Sequence, residues 1–532
     1  MKKLYYGGNI ITMAGEKDRP QALVEEEGKI IYVGTVSGAR DLYGVEMEPV
    51  DLAGKTLMPA FIDPHSHFSQ VAQSIGMCDL SETESFEEIQ KTLKHYIEVH
   101  EIDEDGVVLA SGYDHNFLKE GTHPDKQLLD AVSDRVPIYI SHASGHMGAA
   151  NSAILKLAQI TDETPDPQGG KFGRYPDGTL NGYVEETPAL MQIVMPAMNR
   201  VKFDLVKQVE EAQQLYLKNG ITTVQEGAAV GQALQMLIGY TMQKPLLLDV
   251  VAYILTDDYE NTAKQFPNHL KAYQNRIRIG GAKLILDGSP QGKSAWLSKP
   301  YQGEEEYRGY ATHEDSYVDQ AVLKAVEGGY QILAHCNGDA ASEQFLNSVE
   351  KAYQQAEGAD QKDLRPVMIH CQTVREDQLQ RMKKLSMIPS IFVGHTYYWG
   401  DIHLKNLGEE RGSKISPVRT AKKLGLCYNF HQDSPVTKPD MLHSVWCAVN
   451  RMTRRGRVIG KEECIDVYDA LKAVTIHAAY EYHEEHTKGS LEVGKKADMI
   501  ILEQSPLEIP KENIKNIKVL ETIKEGITVY RR

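Results

Sequence analysis

The chain has 532 residues, of which 41% are hydrophobic and 25% charged, with a formal net charge of −16. This is a soluble, globular composition, and the length exceeds one ordinary core, so two or three structural units are expected. The acidic balance argues against a nucleic-acid surface, and no run of 18 apolar residues offers a membrane span.

The chain opens Met-Lys-Lys, but Leu4 to Gly8 give no continuous apolar signal region. The six cysteines contain no Cys-x-x-Cys pair and read as reduced, mostly packed thiols of a cytoplasmic protein. Tyr5–Met13 is β-rich, and Ala22–Glu27 with Ile30–Val33 reads as a hairpin. Met499–Leu502 and Val519–Tyr530 repeat this pattern at the other end. Two β-rich ends around a different middle predict one small β-sandwich domain from both termini, over 1–58 and 484–532.

Between them, short apolar runs alternate with helical patterns. The expected strands are Leu57–Asp63, Ile221–Gln225, Leu246–Ile254, Ile277–Leu286, Tyr330–His335, Pro366–His370, Met387–Val393 and Gly425–Phe430. Tyr317–Glu327, Ala341–Gln355 and Glu376–Leu385 carry apolar residues at helical spacing. Eight such strands alternating with helices predict an α/β fold with a (β/α)8 TIM-like barrel over 59–483. The interval 70–215 is too long for one connection and reads as an insertion over the barrel mouth. Val107–Ser111 and Ile138–Ser141 inside it are also strand-like.

Candidate chemistry falls at the C-terminal ends of the expected strands, the face on which barrels carry active sites. Ala60-Phe-Ile-Asp-Pro-His-Ser-His67 ends in two histidines at i, i+2, which in a strand share one face and can meet one ion. Lys283 sits in Ile279–Leu286, where a buried charge is costly unless neutralised or paired. His335 and His370 end the fifth and sixth strands, and Asp433 follows the eighth. Cys336 and Cys371 directly follow the two histidines and are read as packing residues. Singly, each position has an ordinary structural explanation. Their joint register at one face does not.

These residues make the chain resemble the amidohydrolase superfamily, specifically the amidohydrolase 3 group that includes N-substituted formamide deformylase-like proteins. The resemblance rests on Met58–His67, Gly145-His146 with Asn151, Asp287-Gly288-Ser289, His335–Asp339, Arg365–His370 and Gly494–Asp498. It implies a divalent metal site of one or two ions, most often zinc. His65, His67 and Asp433 would hold one ion, His335 and His370 the other, and a carbamylated Lys283 would bridge them. A bound metal would lower the pKa of a water toward ~7. Asp433 would take the water's proton and pass it to the leaving atom. His146 and His395 are candidates to bind a substrate oxygen.

Three departures from the family pattern stand out. Ala60 replaces the usual Gly, Gln432 preceded by His431 replaces the usual Ser, and Gly112-Tyr113-Asp114-His115 lacks the usual Trp. Glu226 reads as polar lining. The expected activity is metal-dependent hydrolysis of a C–N bond, in an amide or N-acyl or N-formyl group of a small molecule. A regulatory or binding protein on the same scaffold, or a metal-dependent isomerase or decarboxylase, is the alternative. No nucleic-acid or membrane partner is expected, and the pattern is compatible with a homo-oligomer.

Overall fold

The computed structural model describes residues 2–532 except 144, 146, 202, 203, 271 and 359–361. The chain divides into two compact units, one formed by Met1–Ser69 with Ala212–Arg532 and the other by Gln70–Glu211. Among the described residues, no helix is long and apolar enough to cross a membrane.

The first unit is built on eight strands: β1 (Phe61–Asp63), β2 (Ile221–Ala229), β3 (Asp249–Leu255), β4 (Ile277–Ile285), β5 (Gln331–Cys336), β6 (Val367–His370), β7 (Ile388–Ile391) and β8 (Asn429–Phe430). They form one sheet in chain order, each strand parallel to its neighbours. A parallel sheet is covered on both faces, which is why these strands are continuous apolar runs. All eight expected strands are present, in a nearly closed barrel. Its seam lies between β1 and β8, where the following loops pair instead. The Asp433 N–H donates to the His65 carbonyl at 3.0 Å, and the His67 N–H to the Ser434 carbonyl at 2.8 Å. The helices after β4 and β5 run over Asp315–Gly328 and Asp339–Gln355. The first ends at Gly329 with φ 66°, the left-handed cap that glycine adopts without strain.

One expected strand divides. In the apolar run Leu57–Asp63, residues Thr56–Pro59 pair antiparallel with Met499–Leu502, while Phe61–Asp63 joins the barrel. Ala60 is the hinge between two sheets: its N–H donates to the Asp498 carbonyl, and that of Phe61 to the Gly220 carbonyl. Period-2 patterning does not register a change of partner, so the run reads as one element.

The terminal segments form a four-stranded sheet in the order Lys29–Gly34, Ala22–Glu26, Lys3–Tyr6, Glu48–Asp51. A five-stranded sheet runs Asn9–Ile10, Thr56–Pro59, Met499–Leu502, Val519–Lys524, Ile527–Arg531. Tyr5, Leu23, Leu57, Met499 and Ile523 share one apolar cluster drawn from both sheets. These sheets fall in the same compact unit as the barrel, so they are not set apart from it as a unit of their own.

A buried charge network ties the C-terminal segment to the start of β3. Asp249 accepts from Lys488 and Lys524, each at 2.7 Å, and from Arg276 at 3.1 Å. Lys524 also donates to Asp498 at 2.7 Å. Asp249 and the two lysines are almost wholly buried.

The second unit has its own six-stranded sheet, in the order Lys171–Arg174, Leu180–Glu185, Met147–Ala150, Ile138–His142, Val108–Tyr113, Cys78–Asp79. The two strand-like segments noted in the interval 70–215 are therefore strands of this sheet. Apolar clusters around Leu93 and Ile140, and around Ile154 and Val184, give the unit its own cores.

Candidate active site

The C-terminal ends of β1, β4, β5 and β6 and the loop after β8 bring His65, Lys283, His335, His370 and Asp433 into one cluster, with His67 beside it. His65, His370 and Asp433 offer donor atoms that all lie within 4.8 Å of one another. Asp433 Oδ1 lies 3.1 Å from His67 Nε2 and 3.4 Å from His65 Nε2. His370 Nε2 lies 3.0 Å from His335 Nδ1. His370 thus belongs to both histidine groups. His67, His335 and Asp433 are the partly exposed members, at 16%, 22% and 13% side-chain exposure, so the open side of the cluster runs along them.

Hydrogen bonds behind the rings decide which nitrogen of each faces the centre. The side-chain amide of Gln225 donates to the Pro64 carbonyl, so its oxygen faces His65 Nδ1, at 2.6 Å. That oxygen only accepts, so His65 carries its proton on Nδ1 and turns a lone pair at Nε2 toward Asp433. His67 Nδ1 likewise donates to the Gly227 carbonyl at 2.7 Å. His335 Nε2 faces the Gly288 carbonyl at 3.2 Å, leaving Nδ1 for the centre. His370 Nδ1 lies 3.2 Å from His431 Nε2, and His431 Nδ1 lies 2.9 Å from Ser390 Oγ. These contacts tie His370 through His431 to Ser390 and turn His370 Nε2 toward the centre. The polarity is fixed for His65, and each of the other three rings likewise turns one nitrogen inward and is held by a partner behind the other, His335 Nε2 also lying 3.0 Å from the Asn337 side-chain amide.

Electrostatics support neutral rings at His65, His335 and His370. Burial, then the charge of Lys283, pulls His335 down to about 4. Burial holds His65 and His370 well below the usual histidine range. His67 goes the other way: burial opposes its charged form, but the hydrogen bond and charge of Asp433 outweigh this. Lys283 is 1% exposed, and its Nζ is a buried polar atom with no hydrogen-bond partner among the described residues. Burial pulls it down to about 8. A buried amine amid inward-facing imidazoles and a carboxylate is a set of donors that could hold a metal ion. The residues fit a divalent ion.

Backbone strain concentrates here too. His370 and Asp433 have φ of 77° and 55°, left-handed conformations that non-glycine residues adopt at a cost of about 1–3 kcal/mol.

The other expected positions fall as follows. His146 lies outside the described residues. His395 is 4% exposed, flanked by Phe392 and Trp399, with Nδ1 2.9 Å from His403 Nε2. His403 Nδ1 has no partner, and an orphaned acceptor is tolerated better than an orphaned N–H. His403 therefore donates from Nε2, and His395 carries its proton on Nε2. Cys336 and Cys371 are fully buried, and burial raises both thiols, so they pack. Glu226 accepts from the Ser69 N–H and hydroxyl at 2.6 and 2.7 Å, capping the helix Phe68–Ile75.

Sequence reading missed Gln225, Ser390 and the orienting role of His431. It also quoted Asp287 without a task. Asp287 accepts backbone N–H groups from Trp296, Asn337 and Gly338, at 2.9, 3.0 and 2.7 Å, fixing the loop after His335. Its signal was available: an aspartate directly after β4, and Asn-Gly directly after β5.

The model of the family described as Amidohydrolase family matches residues 48–530. A putative amidohydrolase, YtcJ of Bacillus subtilis, is 25% identical over 556 residues, covering 100% of both chains. N-substituted formamide deformylase of Arthrobacter pascens is 24% identical over 538 residues, covering 98% of this chain and 97% of its own. The crystal structure of an uncharacterized metal-dependent hydrolase from Pyrococcus horikoshii superposes with a TM-score of 0.76 at 28% identity. It covers 96% of this chain and 99% of its own.

Proposed function

The chain belongs to the amidohydrolase family, and on that premise we propose that it is a metal-dependent hydrolase that cleaves a C–N bond, in an amide, N-acyl or N-formyl group of a small molecule. The observation that carries this reading is the set of four inward-facing imidazole nitrogens gathered around Asp433 and the buried amine of Lys283. The name of the formamide deformylase relative supports the C–N assignment.

In this reading His65, His67, His335, His370 and Asp433 hold one or two divalent ions, zinc first. Lys283, depressed toward neutrality, has the free amine needed to take up CO2. A carbamate formed there, with release of one proton, would spread a single negative charge over two oxygens, would suit a site shared by two ions, and would remove the buried positive charge. When bound, such a metal lowers the pKa of water and polarises a carbonyl. The chain's own residues do the rest. Asp433 is held below the usual carboxylate range because the hydrogen bond and charge of His67 outweigh burial, which raises it. It is ionised at neutral pH and accepts the proton of the attacking water. It then delivers that proton to the leaving nitrogen, which departs poorly as an anion. His395, protonated at Nε2, is the proposed donor to a substrate oxygen, and His146 is the other residue proposed for that role. The two terminal sheets are read as a β-sandwich domain over 1–58 and 484–532, beside a barrel domain over 59–483. The segment at about 70–215 is read as the substrate-selecting insertion. A cytoplasmic location goes with the reduced thiols.

The test is metal analysis of the purified protein coupled to a screen of N-acyl and N-formyl compounds. Lys283→Ala, His65→Ala and Asp433→Ala should each bind less metal than the parent and lose turnover with it. Full activity in metal-free protein would sink the proposal.

A further inference from the structure

A second group of metal-ligating side chains stands wholly inside the Gln70–Glu211 unit. The strands Val108–Tyr113 and Ile138–His142 are parallel neighbours, with His142 opposite Tyr113 in the register. Parallel strands leave a sheet at the same end, so the residues following Tyr113 meet the end of the neighbouring strand. That register brings Asp114 and His115 against His142.

Three donor atoms converge there. His115 Nδ1 lies 3.1 Å from His142 Nε2, Asp114 Oδ1 lies 3.4 Å from His142 Nε2, and the same oxygen lies 3.9 Å from His115 Nδ1. A triangle with these edges has a common point about 2.0 Å from every corner, the length of a zinc–nitrogen or zinc–oxygen bond. The side chains are held as ligands usually are. The backbone N–H and side-chain amide of Asn116 both donate to Asp114 Oδ1 at 2.9 Å, orienting the carboxylate. His123 stacks on the ring of His115 with centroids 4.0 Å apart, and its Nδ1 is 3.1 Å from the Tyr113 hydroxyl. Asp114 and His142 are buried, whereas His115 is 27% exposed on its side chain, giving an ion access from solvent.

We propose that Asp114, His115 and His142 form a second divalent-metal site, separate from the barrel centre, that binds zinc through two imidazoles and one carboxylate. This donor set suits zinc, nickel or copper far better than magnesium or calcium, which take oxygen ligands. The ion would join the ends of two strands and pin the segment from Asp114 to His123 that follows one of them. Its role is structural support of this unit, because anything bound only by the folded state stabilises it.

The experiment counts zinc per chain by equilibrium dialysis of the full-length, chelator-stripped protein. His115→Ala is compared with its parent, both in the natural sequence and in a His65→Ala/Asp433→Ala background that removes barrel ligands. One zinc equivalent should be retained in that background and lost on adding His115→Ala. The affinity should weaken about 100-fold or more, beyond the 10–100-fold typical of changes behind a ligand. Asp114→Asn should weaken binding in the same background. In the His65→Ala/Asp433→Ala background zinc should raise the melting temperature and should not do so once His115→Ala is added, while the metal-free proteins melt alike. Equal zinc content and affinity with and without His115 would overturn the site, leaving the two histidines as a hydrogen-bonded pair. So would a barrel-ligand variant that holds no zinc.

Discussion

Gln225 Oε1 lies 2.6 Å from His65 Nδ1, although 160 residues separate them in the chain. Because the amide nitrogen of Gln225 is engaged by the Pro64 carbonyl, the contact has one polarity only. It holds the proton of His65 away from the cluster and leaves Nε2 available. A glutamine that touches no substrate thereby sets the chemical state of a proposed ligand.

Gln225→Leu keeps the volume close and removes the acceptor. Metal affinity should fall about 10–100-fold, the usual cost of losing a partner behind a ligand. Competition with a fluorescent chelator measures this directly. Unchanged affinity would mean that His65 does not depend on Gln225.

Lys283 should carry CO2 when the protein is assembled with metal. Protein reconstituted with 13C-bicarbonate is expected to show a carbamate carbon resonance, absent in Lys283→Ala. Reconstitution in bicarbonate-free buffer should recover less activity than in its presence. Equal recovery in both buffers would exclude the carbamate.

Asp433→Asn removes the proton acceptor while preserving shape. Turnover should drop about 10²–10⁴-fold, the range of general acid–base contributions. Because Asp433 is also a proposed ligand, metal content must be measured alongside kcat, and the rate compared per bound metal. A variant that is as fast as the parent per bound metal would strip Asp433 of its proton-transfer role.

The charge network around Asp249 makes a prediction about stability and pH. Burial pushes the Asp249 carboxyl up, but Lys488 and Lys524 outweigh it and hold the group well below the usual range. A carboxyl depressed in the folded state contributes stability above its unfolded value, near pH 4. That share is lost as pH falls through the folded value. Asp249→Asn should cost about 3 kcal/mol at pH 7, since it leaves buried lysines short of a partner. The difference between variant and parent should shrink below pH 4. Denaturant unfolding at pH 7 and pH 3 tests both statements, and a gap that stays constant would refute the linkage.

What could be read from the sequence alone was whatever leaves a local trace. Short apolar runs alternating with period-3.6 patterning located all eight barrel strands, because burial on both faces demands uninterrupted apolar runs. The residues that end those runs, His65, His335 and His370, were legible as candidate donors for the same reason. Lys283 stood out because an apolar strand makes its charge costly. Nothing local marks Gln225, Ser390 or His431 as the groups that orient those donors, nor Asp249 as the partner of Lys488 and Lys524. Each relation joins residues far apart in the chain, and a hydrogen bond depends on position in space. Only the closed order of the barrel brings β2 behind β1 and β7 beside β8. The tertiary structure therefore decided how the rings are turned and held, while the sequence had already decided which rings would be there.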